Sequence, residues 1–351
     1  MYKMHNVLCF LLLITVTILG VWTSPASTRA LIDNHTQTIS ERHEAWMSEH
    51  GKVYVDEAEK AKRFRIFKEN VERIEVFNFH SEHNTYKLAV NQFADLTADE
   101  FRAIRNGYKE PNPLSTSNEA TSFKYTNVSA IPPSIDWRTK GAVTPIKEQG
   151  PCGCCWAFSA IGATEGITQI KTGKLVPLSE QQLVDCDVKG LNRGCNGGYM
   201  DEAFKYIIQN KGINSQLSYP YTGKGAPCNA QKSTVAAAKI TGFQKVPANN
   251  ETALLQAVAS QPVSVGVDAS HFQFYASGIF NGPCGTKLDH GVTAVGFGVE
   301  PNGAKYWLLK NSWGPNWGEK GYIRIKREVP AKEGHCGIAM AASYPVIEKT
   351  V

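Results

Sequence analysis

Several kinds of feature are missing from this sequence of 351 residues, and each absence narrows the class of protein. No apolar run comparable to residues 7–22 recurs later, which argues against a chain that stays anchored in a membrane. No internal repeat or low-complexity tract occurs, which argues against repeat architectures. Dense runs of Lys and Arg are also missing, so there is no case for nucleic-acid binding.

The first 24 or so residues are predicted to be a signal peptide. Lys3 precedes the apolar run 7–22, and small or polar residues suited to cleavage follow it. The run is shorter than the roughly 20 apolar residues that span a bilayer, so a membrane anchor is the weaker interpretation. We therefore expect entry into the secretory pathway, with a vacuole, a lysosome-like compartment or the extracellular space as destination.

Cysteine divides the remaining chain into two physically different parts. None lies between residues 25 and 150, and the oxidising secretory pathway favours pairing of those that follow. These eight are Cys152, Cys154, Cys155, Cys186, Cys195, Cys228, Cys284 and Cys336. Residues 1–130 have 15 Lys+Arg and 16 Asp+Glu, a net charge of −1, whereas residues 131–351 have 22 and 16, a net of +6. The two parts are weakly complementary in charge.

The part before the cysteines is predicted to be helical from about Ser40 to His80. Its apolar residues recur at spacings of three and four, which places them on one helical face: Phe64, Phe67, Val71 and Ile74. Glu59 and Arg63 are four apart, in the favourable order for a helix-surface ion pair. Gly, Pro, Ser, Thr and Asn dominate residues 106–134, which predicts an exposed linker that proteases can cut.

The cysteine-containing part is predicted to have an α+β fold, with a helical half before a β-rich half. Its sequence predicts helices at Trp156–Ile170, Ser179–Val184 and Met200–Asn210. Val-, Ile- and Phe-rich runs predict strands at Val263–Val267, Val292–Phe297 and Tyr322–Ile325. The junction of the two halves would form a cleft.

Three cysteines in four residues, Cys152, Cys154 and Cys155, open an apolar helical run and allow three interpretations. One cysteine could be a nucleophile at a helix N-terminus, where the helix dipole favours the thiolate. Cys152 and Cys155 could form a redox pair, or the group could be half of a zinc site. The scattered positions of the other cysteines make zinc the weakest of the three.

His290 and Asn311 favour the nucleophile. His290 precedes an apolar strand, and Asn311 lies in the segment Lys310–Gly314 beside Trp313. A catalytic cysteine needs a base, and that base needs a partner that orients its ring. Cys155, then His about 135 residues later and Asn about 20 further on, has the order expected of papain-like proteases.

On these segments the chain resembles papain-family, cathepsin L-like cysteine proteases from about residue 40 to 345, and plant senescence-associated members in particular. The resemblance implies a papain-like fold of two subdomains with the active site between them. It also implies these roles: Cys155 as nucleophile, His290 as general base and acid, Asn311 as the group that orients His290, Trp313 as the shield of that bond, and Gln149 as oxyanion donor. It implies neither a metal nor another cofactor.

The same resemblance implies the cysteine pairs Cys152–Cys195, Cys186–Cys228 and Cys284–Cys336. Two cysteines remain, the nucleophile Cys155 and its neighbour Cys154. The family commonly has Ser where this chain has Cys154. We favour a silent replacement over a redox-sensitive neighbour, since vicinal cysteines bridge only with strain.

Residues 25–130 resemble the inhibitory propeptide of the family, which implies autoinhibition by this segment until acid weakens its ion pairs. A helical signature is present at Glu59, Arg63, Phe67, Asn70, Ile74 and Asn78. A second signature is present at Asn91, Phe93 and Asp95, with Ala89 in place of its usual leading Gly. That replacement puts in doubt any role that needs a positive φ at Ala89.

The resemblance thus divides the chain into a signal peptide (1–24), a propeptide (25–130) and a mature domain (131–351). Within the mature domain, residues 131–240 would form the helical subdomain and residues 241–351 the β-rich one. We expect cleavage near 125–131, with a mature enzyme that begins between Asn127 and Ile131.

The predicted substrate site is uncharged and mostly apolar. Gly197 and Gly198 would admit an extended substrate backbone, since glycine permits close approach. The pocket for the second residue before the cleaved bond would be formed by Tyr199, Met200, Gly266, Leu288 and Ala341. We therefore expect Leu, Phe or Val at that substrate position, and little tolerance for Arg.

The sequence predicts a cysteine endopeptidase that acts on polypeptides, is inhibited by its own propeptide and is open to cystatin-like inhibitors. A catalytically silent or inhibitor-like relative is the alternative, and a thiol–disulfide oxidoreductase that uses Cys152 and Cys155 is another. Glycosylation acceptor tripeptides occur at Asn34, Asn127 and Asn250, and Asn250 alone of these lies in the predicted mature enzyme.

Overall fold

The structure, a computed structural model, describes residues 37–80, 85–109 and 123–348. The predicted signal peptide and Asn34 lie outside these residues. Within them, none of the helices has both the length and the apolar character that a membrane span requires. Residues up to Val53 form a separate unit, whose described part contains one helix that begins after a capping box of Thr38 and Glu41.

The helices are α1 Ile39–Glu49, α2 Glu57–Phe79, α3 Ala98–Arg105, α4 Cys155–Thr172, α5 Glu180–Cys186, α6 Met200–Gln209, α7 Ala230–Ser233 and α8 Glu251–Ser260. The three helices predicted in the cysteine-containing part are confirmed as α4, α5 and α6. The prediction that the chain is helical from about Ser40 to His80 is confirmed for α1 and α2 and wrong for residues 50–56, where the chain leaves helical geometry. Gly51 has a φ of +59° there, and the Asp56 side chain then caps α2 at the Glu59 N–H.

The strands are β1 Tyr86–Leu88, β2 Ile135–Asp136, β3 Gly242–Lys245, β4 Val263–Val267, β5 Tyr275–Phe280, β6 His290–Val299, β7 Lys305–Lys310, β8 Tyr322–Lys326 and β9 Ala342–Val346. They form one sheet in the order β1-β5-β8-β7-β6-β4-β9-β3, and β2 pairs with β6. The pairs are antiparallel except β5 with β8. The three predicted strands are confirmed as β4, β6 and β8. Strand β1 comes from the predicted propeptide and pairs with β5 at one edge.

Helix α4 lies between the two halves of the cysteine-containing part. It is buried from Cys155 to Thr168, as expected for a helix that is apolar on all sides. A Cβ on Gly162 would lie 2.6 Å from Thr293 Oγ1, so this glycine permits close packing of α4 on β6. One apolar cluster belongs to the β-rich half and another to the helical half, and the cleft opens where α4 begins.

Helix α2 packs through the residues of the predicted helical signature. Phe67 and Ile74 are buried, and Asn70 Nδ2 donates to the carbonyl oxygens of Ala94 and Leu96 at 2.8 and 3.0 Å. Asn78 exchanges hydrogen bonds of 2.7 and 3.1 Å with the backbone of Leu88 in β1. These two amides therefore satisfy main-chain groups of the segment 88–96.

The prediction that residues 106–134 form an exposed linker is correct for Ser129 and Ala130, which are exposed, but wrong for two other described parts of this range. Gly107 and Tyr108 are buried. Phe123 and Tyr125 pack against Tyr344, with ring centroids 6.2 and 5.1 Å apart. Large aromatic side chains explain the difference, since each gains free energy by leaving water.

Candidate active site

Cys155 is the first residue of α4, and its free thiol is fully buried. Its Sγ accepts the backbone N–H groups of Gly107 and Gly291 at 3.3 and 3.4 Å. Gly291 directly follows His290 at the start of β6, so this strand brings the histidine to the thiol.

His290 is fully buried and oriented by Asn311. Its Nε2 lies 2.8 Å from Asn311 Oδ1, and an amide oxygen can only accept, so Nε2 carries the proton. Nδ1 has no hydrogen-bond partner among the described residues and is free to take a proton. The Trp313 ring stacks on the imidazole, with centroids 4.5 Å apart. The structure thus brings together His290, the predicted base, with Asn311, the predicted orienting group, and Trp313, the predicted shield.

Gln149 lies at the junction of the two halves and is fully buried. Its Oε1 accepts the Ser312 hydroxyl at 2.6 Å, which aims Nε2 away from Ser312. Nε2 donates to the carbonyl oxygens of Cys152 and Arg105 at 2.7 and 2.9 Å. The carbonyl oxygen of Arg105 belongs to the predicted propeptide. The predicted oxyanion donor therefore already binds a carbonyl oxygen of that segment.

Residues 105–109, here called the cleft segment, cover the site with main chain. The Gly198 N–H donates to Gly107 O at 2.9 Å, and the Lys109 N–H donates to Gly198 O at 3.3 Å. The Tyr108 N–H donates to the carbonyl oxygen of Asp289 at 3.0 Å. Tyr108 and Gly198 form a parallel bridge, and the thiol faces an N–H group of the segment. The cleft therefore holds an extended polypeptide backbone.

Two close approaches explain the glycines at this point. A Cβ on Gly107 would lie 1.8 Å from Gly153 O, so the two backbones touch. A Cβ on Gly197 would lie 2.6 Å from Gly107 O, and Gly197 itself has a φ of +102°. A side chain at any of these positions would displace the segment.

Burial changes both titrating groups of the covered site. It raises the pKa of the Cys155 thiol to about 11, although the N–H groups of Gly291 and Gly107 act against it. It lowers the pKa of His290 to about 4, although the Asn311 hydrogen bond acts against it. The expectation of a readily ionised thiol at a helix N-terminus is thus wrong for the covered state, because a fully buried thiolate loses its water.

The Tyr108 ring occupies the predicted substrate pocket. A Cβ on Gly266 would lie 3.0 Å from that ring and 3.2 Å from Leu288 Cδ1. The Tyr199 ring lies 6.1 Å from the Tyr108 ring. A cavity of about 190 Å³ lies beside Tyr108, and the apolar part of its wall includes Tyr199, Met200, Met340 and Ala341. Three of the five predicted pocket residues line this cavity, and the other two, Gly266 and Leu288, lie beside the Tyr108 ring. The cavity wall is not uncharged as predicted, because it also includes Asp201, Glu202 and Lys245.

The structure has the three disulfides that the resemblance implies, Cys152–Cys195, Cys186–Cys228 and Cys284–Cys336. Cys154 and Cys155 are free and buried. Because Cys152 is bonded to Cys195, the oxidoreductase alternative with a Cys152–Cys155 pair is not supported.

The second propeptide signature lies against the wall of the β-rich half. Asn91 Nδ2 donates to Gln273 O at 2.7 Å, and Asn91 Oδ1 accepts the Phe93 N–H at 3.0 Å. Asp95 accepts the Tyr54 hydroxyl at 3.1 Å. Ala89 is not among the described residues with positive φ, so this position does not need a glycine here.

The first signature forms ion pairs with α3. Arg63 bonds Glu59 at 2.6 Å, the predicted pair, and also Glu100 at 2.9 Å. Burial opposes ionisation of Glu100, but bonds from the Thr97 backbone and Arg63 lower its pKa to about 2.

Sequence reasoning missed Arg105, the last residue of α3. It also missed Gly107 and Tyr108, which reach the site from the segment predicted as linker. It also missed Ser312 and Tyr221, which hold Gln149. An aromatic residue directly after a glycine, in a stretch otherwise rich in Pro and Ser, is the one signal that could have indicated Tyr108.

Comparisons with known proteins agree with this geometry. Residues 131–346 match the papain family cysteine protease domain, and residues 43–101 match the cathepsin propeptide inhibitor domain (I29). Senescence-specific cysteine protease SAG12 of Arabidopsis thaliana is 55% identical over 315 residues, which cover 88% of this chain and 90% of that protein. Vignain of Phaseolus vulgaris is 51% identical over 315 residues, or 88% of this chain and 86% of vignain.

Solved structures of precursors also match. Recombinant stem bromelain precursor has a TM-score of 0.80 at 48% identity, over 89% of this chain and 99% of that chain. The proform of the ragweed pollen allergen Amb a 11, a cysteine protease, has a TM-score of 0.80 at 44% identity, over 89% and 95%. The fold is therefore the α+β papain-like fold of two subdomains, preceded by a mainly helical inhibitory segment, and the chain belongs to the papain family of cysteine proteases.

Proposed function

We propose that Cys155, His290, Asn311 and Gln149 carry out peptide hydrolysis in this cysteine protease. The observation that carries the proposal is the cleft segment, a polypeptide backbone that lies at the thiol, at the Gln149 amide and at Gly198 together. A cleft that holds this backbone in the precursor is suited to a substrate backbone once the segment has left.

In the proposed mechanism His290 Nδ1 takes the thiol proton, and the Cys155 thiolate attacks the carbonyl carbon of the scissile bond. Gln149 Nε2 and the Cys155 N–H donate to the developing oxyanion, which is a large electrostatic contribution in acyl transfer. His290 then gives its proton to the leaving amine. Water activated by His290 hydrolyses the thioester and releases the thiol. Asn311 keeps the proton at Nε2 throughout, so that Nδ1 faces the reaction.

The test is a comparison of the wild-type precursor with Cys155→Ala after acid treatment. We expect peptide hydrolysis and labelling by an epoxide inhibitor in the wild type, with the label at Cys155, and neither in the variant. Equal hydrolysis by both proteins would overturn the role of Cys155. A folded, processed wild type without hydrolysis or labelling would instead support the silent or inhibitor-like alternative.

The proposed preference for Leu, Phe or Val at the second position before the cleaved bond follows from the pocket around Tyr108. The Tyr108 ring in this space supports an aromatic residue at that position, and Met340 and Ala341 contribute apolar wall. Two carboxylates also line the cavity, and each is partly neutralised by a lysine: Asp201 pairs with Lys245 at 3.2 Å and Glu202 with Lys205 at 2.7 Å. A peptide-library profile dominated by Arg at this position would refute the preference.

We also propose the division into a signal peptide (1–24), a propeptide (25–130) and a mature domain (131–351), with subdomains that meet near residue 240. The matched domains, 43–101 and 131–346, support the division without fixing its ends.

Contacts before Ile131 narrow the proposed cleavage. Gln256 Nε2 donates to the carbonyl oxygens of Thr126 and Val128 at 3.2 and 3.1 Å, which protects this turn. Ser129 and Ala130 are exposed. Cleavage between Ser129 and Ala130 places Val128 at the second position, where an apolar residue is preferred. N-terminal sequencing of the first processed form tests this; a first cut before Val128 would contradict it.

Three further expectations belong to the same proposal. The enzyme would act in a vacuole, a lysosome-like compartment or outside the cell, and cystatin-like proteins would bind the open cleft. Asn250 is exposed at the N-cap of α8, where its Oδ1 accepts the Ala253 N–H at 2.9 Å, so Nδ2 can carry a glycan without loss of the cap. A mass difference after glycosidase treatment of the secreted protein checks the glycan.

A further inference from the structure

We propose that Cys154 and Tyr221 are positioning residues, which hold the two oxyanion donors at the distance that catalysis needs. These donors are the Gln149 side-chain amide and the Cys155 backbone N–H, so the inference rests on the function proposed above. It gives a role to the residue before the nucleophile, where the family commonly has Ser.

Cys154 is fully buried at the N-cap of α4 and makes no side-chain cap bond. Its Sγ lies 3.0 Å from Tyr221 Oη, and this hydroxyl donates to the carbonyl oxygen of Gln149 at 2.6 Å. A tyrosine hydroxyl has a single hydrogen, which Gln149 receives. The Cys154 thiol is therefore the donor to Tyr221, and a directed chain runs from Cys154 through Tyr221 to Gln149.

The chemical state of Cys154 fits this role. Burial raises the pKa of its thiol well above the ordinary range, so the sulfur stays protonated and keeps its donor. For the same reason Cys154 is not a competing nucleophile. A serine hydroxyl has the same donor, which explains how a Cys and a Ser can serve at one position.

With the hydrogen-bond chain from Cys154 through Tyr221, Gln149 is held by both halves of the molecule. Ser312 binds Gln149 through two bonds, at the backbone N–H (2.9 Å) and at Oε1 (2.6 Å), and so fixes it relative to the half that carries His290. Tyr221 and Cys154 fix it relative to α4, whose first residue is the nucleophile. An oxyanion donor acts within about 2.7–3.1 Å of its oxygen, so a shift of a few tenths of an ångström matters.

The Tyr221 ring is held independently of its hydroxyl. It packs edge-to-face on Phe158 with centroids 5.0 Å apart. Tyr221→Phe therefore removes the hydrogen bonds and keeps the packing. Tyr219→Phe is a matched control, because the Tyr219 hydroxyl is buried in the same subdomain but donates to Asp185.

The experiment compares wild type, Tyr221→Phe, Tyr219→Phe and Gln149→Ala as acid-activated enzymes, with active sites titrated by an epoxide inhibitor. Four quantities are measured: kcat and KM for a peptide substrate, the affinity of a peptide aldehyde, and the rate of alkylation by iodoacetamide. The aldehyde forms a tetrahedral adduct with an oxyanion, whereas alkylation forms none. We expect about a tenfold lower kcat and aldehyde affinity in Tyr221→Phe, with KM and alkylation unchanged within about twofold.

Each possible result of this experiment either supports or overturns the positioning role of Tyr221. Wild-type kcat and aldehyde affinity in Tyr221→Phe, with a large loss in Gln149→Ala, would overturn the positioning role and leave the proposed function intact. No loss in Gln149→Ala would instead overturn the proposed role of Gln149. A fall of alkylation in step with kcat, or an equal loss in Tyr219→Phe, would also overturn the inference, since it would show general disorder of the site.

A second pair of variants keeps the test decisive if Tyr221→Phe does not fold. Cys154→Ala removes the thiol donor, and Cys154→Ser restores a donor. We expect kcat to fall several-fold in the first and to return to within about twofold of wild type in the second. Equal kcat in both variants would overturn the role of Cys154.

Discussion

Two regions of the propeptide contact the catalytic domain by different physics. The first, here called the aromatic anchor, consists of Phe93 and Phe101, each only 1% exposed, and both rings contact Trp313 edge-on. The second is the cleft segment, whose described contacts are hydrogen bonds of its main chain, together with side-chain contacts such as the buried Tyr108 ring and the ion pair of Arg105 with Glu148. The anchor gains free energy from apolar burial, whereas the segment exchanges bonds to water for bonds to the cleft. The comparison indicates that the anchor provides most of the free energy of binding, whereas the cleft segment blocks the active site.

The largest effect is expected from Phe101→Ala, which removes one of the two rings of the anchor. Truncation of a buried Phe costs about 3–5 kcal/mol, and a loss of about 3 kcal/mol from docking would weaken it about a hundredfold. We expect the intact precursor to hydrolyse peptides at neutral pH, measured as initial rates before any processing is visible on a gel. Phe79→Ala, at an 84% exposed position, is the control and should stay silent. If the Phe101→Ala precursor does not hydrolyse peptides at neutral pH, the anchor does not provide most of the binding free energy.

Acid is expected to act on the covered site itself. Burial lowers the pKa of His290 to about 4, so the covered state binds its proton less tightly than an open state with an ordinary value of about 6.5. The contribution of His290 to the free energy of propeptide docking is therefore complete above pH 6.5. It falls by about 1.4 kcal/mol per pH unit between pH 6.5 and 4, and by at most about 3 kcal/mol in all. Burial raises the pKa of Asp289, which acts in the opposite direction.

Hydrogen exchange checks this pH dependence. The probe is the Tyr108 amide, which is bonded to the Asp289 carbonyl, in a Cys155→Ala precursor that cannot process itself. After correction for intrinsic exchange, we expect its protection to fall between pH 6.5 and 4. The same protein with His290→Gln should show a flatter profile. Identical profiles in the two proteins would show that another group senses acid.

Gly107→Ala is expected to displace the cleft segment without changing the aromatic anchor. The added Cβ would meet Gly153 O, which is backbone and cannot rotate away. Such overpacking costs about 1–3 kcal/mol. We expect neutral-pH activity above that of wild type and below that of Phe101→Ala, with the precursor still compact on gel filtration. Gly225→Ala is the control, because its Cβ would meet no atom within 4 Å. Activity equal to that of Phe101→Ala would show that segment and anchor act as one unit.

The smallest effect is expected from Glu100→Gln, which removes one charge of the partly exposed pair with Arg63 and keeps a capping side chain. Such pairs contribute up to about 1 kcal/mol. A pKa lowered to about 2 means that this contribution is complete above pH 4.5 and is lost only as pH falls towards 2. The melting temperature of the precursor should therefore drop by the same small amount at pH 5 and pH 7. A loss confined to pH 7 would make this ion pair the acid sensor.

The sequence was a good guide to elements with a clear period and to roles fixed by a motif. Helix α4 and strands β4, β6 and β8 were predicted within a few residues, since their apolar patterns are long. Cys155, His290 and Asn311 were selected by order and spacing, and the structure places Asn311 on the His290 ring. The break between α1 and α2 was missed, because Gly51 is one residue in a stretch otherwise compatible with a helix.

The contacts across the chain could not be predicted. Tyr108 looks like a linker residue until the pocket at Gly266 and Leu288 is in place. Likewise Tyr221 is 72 residues from Gln149, and no local pattern relates them. The titration of Cys155 was predicted in the wrong direction for the covered state, since burial depends on what other segments lie above the thiol.

The route of the chain around the cleft also sets how sharply the enzyme can switch on. Lys109 bonds Gly198 in the cleft and Phe123 packs against Tyr344, and 13 residues of the same chain separate these two contacts, so inhibitor and enzyme are covalently linked. A covalent link between an inhibitor and its enzyme maintains an effective local concentration of about the millimolar order. Once the chain is cut, the inhibitor must rebind from solution at its bulk concentration, which in a dilute compartment is far lower. A single cleavage thus turns a permanent inhibitor into one that dilution removes, and each freed enzyme can cut further precursors.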